Sequence, residues 1–545
     1  MAESIGWNTL PNIPRVMTEF ANGNRDVFGL LGGDFRDAHV RHAVSERRKS
    51  WEIMPGLGDA LRAGYNGIEI TEKVQRNLDA LNKPGTLAVV TGQQIGIFGG
   101  PLYTFYKALH TILLAEKLSQ NTSGEVVPLF WMETADADFG EVNRIAFPHE
   151  ERQARRAIYV PRDIVAGKSV SLHELTPEIE DVRREVVAWL ENLPHGSEVI
   201  ELVERAYVPG RLISESFRML MNDLLGDMGL VMVDARHPAM LSRGNAFWQK
   251  ILKSPDKLND PFMIVSREME SIRLPLQVQL RSDALPILVI GEDGVRRRIL
   301  GKVGEWRIGN EGETLSDSDL MELANAKSES LTPSALLRPL FQDWMLPTWI
   351  YVGGPAEVSY HAQIGRAYDY LEMPRPLVAP RMSLTLIDRP ARRSLEKHGW
   401  TVSDVIGGRE ILLSRSGKVE ALQSVFESGA EHLQSWLKRI ESAGDEAGIT
   451  LYDEIDQAGR KIEHQWNRVK SIALRRVYEF DRSRVHHAEK LLDKIMPDGI
   501  LQERQTSLLF YQGMLGSELI ETISQEVDLF SAKHLAIDIG GIGDM

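Results

Sequence analysis

The sequence predicts an α/β protein with a parallel-sheet core followed by an α-helical coiled coil, and three observations carry the prediction. Thr86 to Val90 (TLAVV) and Val126 to Met132 (VVPLFWM) are short apolar runs separated by a Gln/Gly loop and a helical pattern that Pro101 opens. Strand, loop, helix and strand in that order make the βαβ unit of a parallel sheet. Gly99, Gly100 and Pro101 recur as Gly353, Gly354 and Pro355, each time between an apolar run and an amphipathic helix. From Tyr452 to Met496 there is no proline, and apolar residues fall at Ile455, Ala458, Ile462, Trp466, Val469, Ala473, Val477 and Phe480. These steps of three and four mark one long helix with an apolar seam.

The remaining elements follow in chain order. The helix opened by Pro101 runs to about Leu118, with Leu102, Phe105, Leu109, Ile112 and Leu113 on one face. Beyond Arg152 the chain turns polar, with helices expected at Glu178 to Leu190 and Glu198 to Leu225, before a buried strand at Gly229 to Asp234. From about Asp260 to Gly309 strand-like runs alternate with turns, including a hairpin signal at Asp293 and Gly294. Strands resume at Leu346 to Val352 and in the run from Pro376 (PLVAPRMSLTLI). A second seam, Leu422, Phe426, Leu433, Leu437 and Ile440, pairs antiparallel with the first across a break near Gly444 to Gly448. The predicted organisation is therefore residues 1–148 as N-terminal region and first half of the core, 149–228 as a helical insertion and 229–259 as a core segment. It continues with 260–330 as an insertion with β content, 331–400 as the second half of the core, and 401–545 as coiled-coil hairpin and terminal helices.

Bulk properties narrow the function. A chain of 545 residues divides into roughly two to four structural units. Its net charge of -14 argues against general nucleic-acid binding, which leaves a basic footprint. The absence of cysteine excludes disulfides, thiolate metal sites and thiol nucleophiles. No apolar run approaches the roughly 18 residues of a membrane span, and MAESIGWNTLPNIPRV lacks the pattern of a secretory signal. A cytoplasmic protein is expected.

In a parallel sheet both Gly-Gly-Pro loops lie at the carboxyl edge, where ligands bind, and both helix N-termini offer free N–H groups. The pair suggests a crevice for a carboxylate or phosphate; the alternative is two tight turns and nothing more. Around the first loop stand Thr91, Gln93, Gln94, Tyr103, Thr104 and Lys107, of which Lys107 reads by itself as a residue of a solvated helix face. Glu357, Tyr360 and His361 follow the second loop. WMETADADFGEVN places Glu133, Asp136 and Asp138 just past a strand end, where carboxylates can bind an ammonium group, hold Mg²⁺ or act as a base, or simply form an acidic loop. No dedicated metal site is predicted: His486 and His487 lack a suitably spaced partner, and AGKS (Ala166 to Ser169) has Arg162 where a phosphate loop needs its first glycine.

Taken together, VVTGQQIGIFGGPLYTFYKA, LFWMETADADFGEVN, LLRPLFQDWMLPTWIYVGGPAEVSYHAQ, VAPRMSLTL and IMPDGILQER resemble, in order and from residue 89 onward, the cysteine-adding enzymes of bacillithiol biosynthesis. The resemblance implies a Rossmann-type core like that of class I aminoacyl-tRNA synthetases, connecting-peptide insertions, and a coiled coil that makes a homodimer. It implies a ligase joining the carboxyl group of cysteine to the amine of glucosaminyl malate, with ATP or another nucleotide, and Mg²⁺, as activating partners. Asp136, Asp138 and Arg381 are then the candidate catalytic residues. Thr91, Gln93, Gln94, Gly99, Gly100, Tyr103, Thr104, Glu133, Asn143, Arg338, Gly353, Gly354, Glu357 and Tyr360 are the candidate substrate-binding residues. The chain has neither synthetase signature intact, and Ala135 and Ala137 stand where the family commonly has Glu and His. A different α/β transferase acting on a nucleotide-linked substrate is the alternative that open sheets of this kind allow.

Overall fold

The computed structural model describes residues 3–122, 124–148, 154–162, 164–414, 417–449, 451–480 and 482–540. Five parallel strands form the central sheet, in the order Leu377–Pro380, Thr348–Gly353, Leu87–Gln93, Val126–Met132 and Val231–Asp234. Their apolar runs are nearly continuous because both faces of the sheet are buried. Val90 sits in register with Leu129 on one side and Tyr351 on the other.

Strand order decides where a ligand can bind. From the central strand Leu87–Gln93 the chain builds outward through Val126–Met132 to Val231–Asp234, then returns to the other side with Thr348–Gly353 and Leu377–Pro380. At that reversal the loops leaving adjacent carboxyl ends diverge and open a crevice. Both Gly-Gly-Pro loops leave the two strands that flank it.

The run beginning at Pro376 yields two strands rather than one. Leu377–Pro380 ends the parallel sheet, and Ser383–Ile387 joins a three-stranded sheet with Glu3–Ile5 and His534–Asp538. Arg381 falls between them, its N–H donating to the Gly353 carbonyl over 2.8 Å. A third sheet, antiparallel, contains Ala284–Ile290, Arg296–Lys302, Glu305–Ile308, Thr314–Leu315 and Leu331–Pro333. Its first hairpin turns at Gly294, whose φ is 77°.

Two helices depart from the sequence reading. Asp260–Ser271 is helical, with Pro261 in its first turn and Phe262, Val265 and Met269 buried on one face, so helical spacing prevailed over strand-like composition. The stretch from Glu198 to Leu225 divides into Gly196–Ala206 and Ile213–Leu225, because Pro209 and Gly210 cannot continue the first helix.

The chain separates into two compact units, one holding all of these sheets and the other the helical stretch Ile387–Leu501. The boundary predicted at residues 148 and 149 borders a segment outside the described residues. In the helical unit, Gly417–Glu446 and Tyr452–Phe480 form an antiparallel hairpin. Trp466 packs on Phe426 with ring centroids 5.5 Å apart, and a Cβ at Gly429 would come within 2.5 Å of the indole. Leu437 faces Gly459, and Leu451 faces Gly444 nearer the turn. The predicted seam is only partly covered within this hairpin: Val469 is 55% exposed and Ile462 36%. The Val477 and Phe480 side chains lie outside those described. Helix is described over Tyr452–Phe480 and Arg482–Ile495, and the continuity expected between them falls on residue 481, outside the described residues.

Candidate active site

The two glycine loops have different backbone needs. In the first, Phe98, Gly99 and Gly100 take φ values of 53°, 83° and 71°, the left-handed region that glycine enters most readily. A Cβ on Gly99 would also lie 3.3 Å from Leu220 Cδ2. Replacing Gly99 by alanine is expected to lower the stability of the sheet-bearing unit by about 1–2 kcal/mol, measurable as a lower thermal transition. In the second loop Gly354 has an ordinary φ of -72°, and Gly353 matters for closeness instead. A Cβ on Gly353 would stand 3.1 Å from Glu357 Cβ and 3.2 Å from the Tyr351 ring.

Each loop delivers a helix whose first turns face the crevice. On Leu102–Ser119, Tyr103 and Lys107 are one turn apart and share a face, while Leu102, Phe105 and Leu109 bury elsewhere. On Pro355–His361, Glu357 caps its own helix by accepting the Gly354 N–H over 2.7 Å. Lys107 and Glu357 meet as an ion pair across the switch point. The Lys107 ammonium also donates to the Gly92 carbonyl over 2.6 Å and to Gln93 Oε1 over 2.7 Å. Lys107 is therefore buried, not solvated as its sequence position suggested. Burial pushes its pKa down to about 8, against the opposing pull of Glu357. Burial opposes ionisation of Glu357 too, yet Lys107 and the Tyr351 hydroxyl, which donates over 2.6 Å, hold its pKa below the usual carboxylate value.

A second set of charges lies on the acidic side. Glu133 accepts from Trp131 Nε1 over 3.2 Å and stands 3.8 Å from Arg338 Nε. Burial raises its pKa, with Arg338 and Arg296 pulling the other way. Arg338 donates to Tyr360 Oη over 2.7 Å and to Tyr351 Oη over 3.2 Å. Asp136 accepts from Gln94 Nε2 over 2.5 Å, from Arg296 over 3.2 Å and from the Ala137 N–H over 2.7 Å. Arg296 comes from the antiparallel sheet, so this carboxylate joins that sheet to the first loop.

These groups enclose a cavity of about 460 Å³. Ten candidate residues line it. Gln93, Gln94, Tyr103, Glu133 and Asp136 come from the first half of the sheet, and Arg338, Gly354, Glu357, Tyr360 and Arg381 from the second. Thr91 is instead buried in the sheet, its hydroxyl donating to the Val352 carbonyl over 2.7 Å. Thr104 is buried behind the loop, Gly99 and Gly100 shape the loop without lining the cavity, and Gly353 lies beneath it. Asn143 donates to the Tyr159 carbonyl over 3.1 Å and does not line the cavity, and neither does Asp138, which is exposed.

Residues 9–382 match the family description "Bacillithiol biosynthesis BshC, N-terminal Rossmann-like domain", and residues 384–539 match "Bacillithiol biosynthesis BshC, C-terminal coiled-coil domain". The chain belongs to the BshC family. Among BshC relatives, one from Solibacter usitatus is 32% identical over 84% of this chain and 85% of its own length. One from Salinibacter ruber is 28% identical over 96% of each chain, and one from Staphylococcus carnosus is 24% identical over 85% of this chain and 86% of its own. All three bear the name "Putative cysteine ligase BshC".

The cavity also includes residues that no sequence signal singles out. Arg296 lies in the run Arg296-Arg297-Arg298, and nothing in that run singles out the one that turns inward. Glu141 and Arg504 line the cavity as well, both inside quoted sequence blocks but without a role assigned there. Glu503 lies behind Arg381 and holds it through two hydrogen bonds, of 2.6 and 2.9 Å.

Proposed function

We propose that this protein forms an amide between the carboxyl group of cysteine and the amine of glucosaminyl malate, the step that yields bacillithiol. One observation carries the reading: in a chain of the BshC family, the cavity at the sheet's switch point presents carboxylates and guanidinium groups on facing walls. An amine does not displace hydroxide from a carboxylate at useful rates, so the cysteine carboxyl needs activation. With ATP as co-substrate and Mg²⁺ on its phosphates, the carboxylate attacks the α-phosphorus and pyrophosphate leaves. The amine, having lost a proton, then attacks the acyl carbon, and AMP departs as the C–N bond forms.

Within this reading Gln93, Gln94 and Tyr103 orient the substrates, and Glu133 and Asp136 supply negative charge for an ammonium group. Arg338 faces the negative charge that develops on the reacting carboxyl. The reaction is placed in the cytoplasm, where cysteine and ATP are at hand; no helix among the described residues is long and apolar enough to cross a membrane. A homodimer through the helical hairpin completes the proposal, supported by apolar side chains that the hairpin leaves open, including Val425 at 65%, Trp436 at 53% and Ile472 at 56% exposure.

The test is to incubate the purified protein with cysteine, glucosaminyl malate and Mg²⁺, with and without ATP, and follow products by mass spectrometry. Bacillithiol with AMP and pyrophosphate is the expected result. ADP and phosphate would replace the adenylate with an acyl phosphate. No amide product under any nucleotide would overturn the ligase reading.

A further inference from the structure

The block IMPDGILQER supplies the cavity with a charge that no ion pair among the described residues neutralises. In its short helix Gln502–Gln505, three successive side chains go three ways. Gln502 clamps Leu386, accepting from its N–H over 2.8 Å and donating to its carbonyl over 3.0 Å. Glu503 is buried, accepting from Arg381, from Ser383 Oγ over 2.9 Å and from the Leu384 N–H over 3.0 Å. With 502 and 503 pinned, the root of the next side chain is fixed. That side chain is Arg504, which is exposed at the cavity wall and has no hydrogen bond or ion pair among the described residues.

The other cations of the cavity are committed. Lys107 pairs with Glu357, Arg296 with Asp136, and Arg338 with Glu133. Arg381 uses both terminal nitrogens on Glu503 and Met382 O, and its Nε–H, near Gly354, has no partner among the described residues. Arg381 and Arg504 lie against the same Tyr103 ring, at 5.6 and 5.8 Å from its centre. Tyr103 Oη accepts from Gln93 Nε2 over 3.2 Å and donates its own proton to no described residue. Three donors therefore stand around one ring at the cavity wall with no acceptor for them among the described residues. Glu141 also lines the cavity, and among the described residues it forms no ion pair with Arg504.

We propose that Arg504, with Arg381 Nε and Tyr103 Oη, forms the subsite for a carboxylate of the amine-bearing substrate, and that Arg504 sets the preference for an acidic over a neutral glycoside. The inference rests on the ligase reading and names a specificity residue within it. A carboxylate suits the place better than a triphosphate: one free guanidinium at the rim, with Glu141 and Glu357 close by, matches a small anion and not a chain of phosphates. The carboxyl of cysteine is the reacting group, whereas a carboxylate of the other substrate is unchanged by amide formation and can stay bound throughout.

The experiment compares glucosaminyl malate with methyl glucosaminide, a neutral acceptor, in the wild type, Arg504→Gln and Arg504→Lys. The ratio of kcat/KM for the acidic over the neutral acceptor is expected to fall roughly 10- to 100-fold in Arg504→Gln, through KM, and less in Arg504→Lys. An unchanged ratio overturns the proposal. So does a rise in KM for ATP with the acceptor ratio intact, which would make the anion a phosphate. If the wild type forms no amide from either acceptor, the ligase reading fails, and equilibrium dialysis of glucosaminyl malate tests the subsite by itself. Equal affinities of wild type and Arg504→Gln would then overturn it, and weaker binding by the variant would support it.

Discussion

Replacing Lys107 by methionine is expected to destabilise the sheet-bearing unit by about 3–5 kcal/mol, because it strands a buried carboxylate. Lys107 is 2% exposed at its side chain and Glu357 17%, so solvent screens neither charge well. Methionine fills nearly the same space, which keeps lost packing small and isolates the electrostatic loss. Glu357 keeps its hydrogen bonds from the Gly354 N–H and Tyr351 Oη, but these do not replace a cation. The double variant Lys107→Met with Glu357→Gln is expected to recover more than half of the loss, since a neutral pair needs no counter-ion. Calorimetry of the three proteins decides the matter. If the double variant is no more stable than Lys107→Met, the pair is not what holds the two loops together. The same variants link stability to function: amide formation is expected to fall with Lys107→Met, because Gln93 Oε1 and Gly92 O lose the donor that orients this wall.

Changing Glu503 to alanine is expected to cost about 3–5 kcal/mol in stability and to lower kcat/KM on the order of 100-fold. Both Arg381 and Glu503 have side chains 2% exposed, and Glu503 takes donors from Arg381, Ser383 and Leu384. Burial disfavours its charge, yet Arg381 keeps its pKa below the ordinary value, so it is ionised at neutral pH. Without that carboxylate Arg381 is a buried, unpaired cation free to swing away from Tyr103 and the cavity. Glu503→Gln tells positioning from charge: it retains acceptors for Ser383 and Leu384 and is expected to fall between wild type and Glu503→Ala in both readouts. Full activity in Glu503→Ala, with an intact fold by circular dichroism, would remove Arg381 from the working part of the site.

Local signals were legible at the positions where a single segment carries the whole explanation. Gln93, Gln94 and Tyr103 stand on one loop and the helix it opens, and a strand-to-helix turn at a sheet edge suffices to put them at a cavity. Glu357, Tyr360 and Gly354 follow from the second loop by the same logic. Lys107 was misread because a lysine on an amphipathic helix is usually solvated, and its acid lies 250 positions away across the switch point. Val469 shows the opposite case: its spacing is that of a seam residue, yet it is 55% exposed within one chain.

By itself, the sequence determined the parallel α/β core, the two Gly-Gly-Pro loops at its carboxyl edge and the long helical hairpin. Each rests on interactions between residues near in sequence: burial periodicity, backbone preference at glycine and proline, and helix-face pairing. Tertiary structure alone decided which charges meet. Arg296 reaches Asp136 from a separate sheet, and Glu503 reaches Arg381 from beyond the helical unit. A buried ion pair is chosen by geometry across long stretches of chain, where desolvation makes an unpaired charge untenable, and residue type at either end does not name its partner.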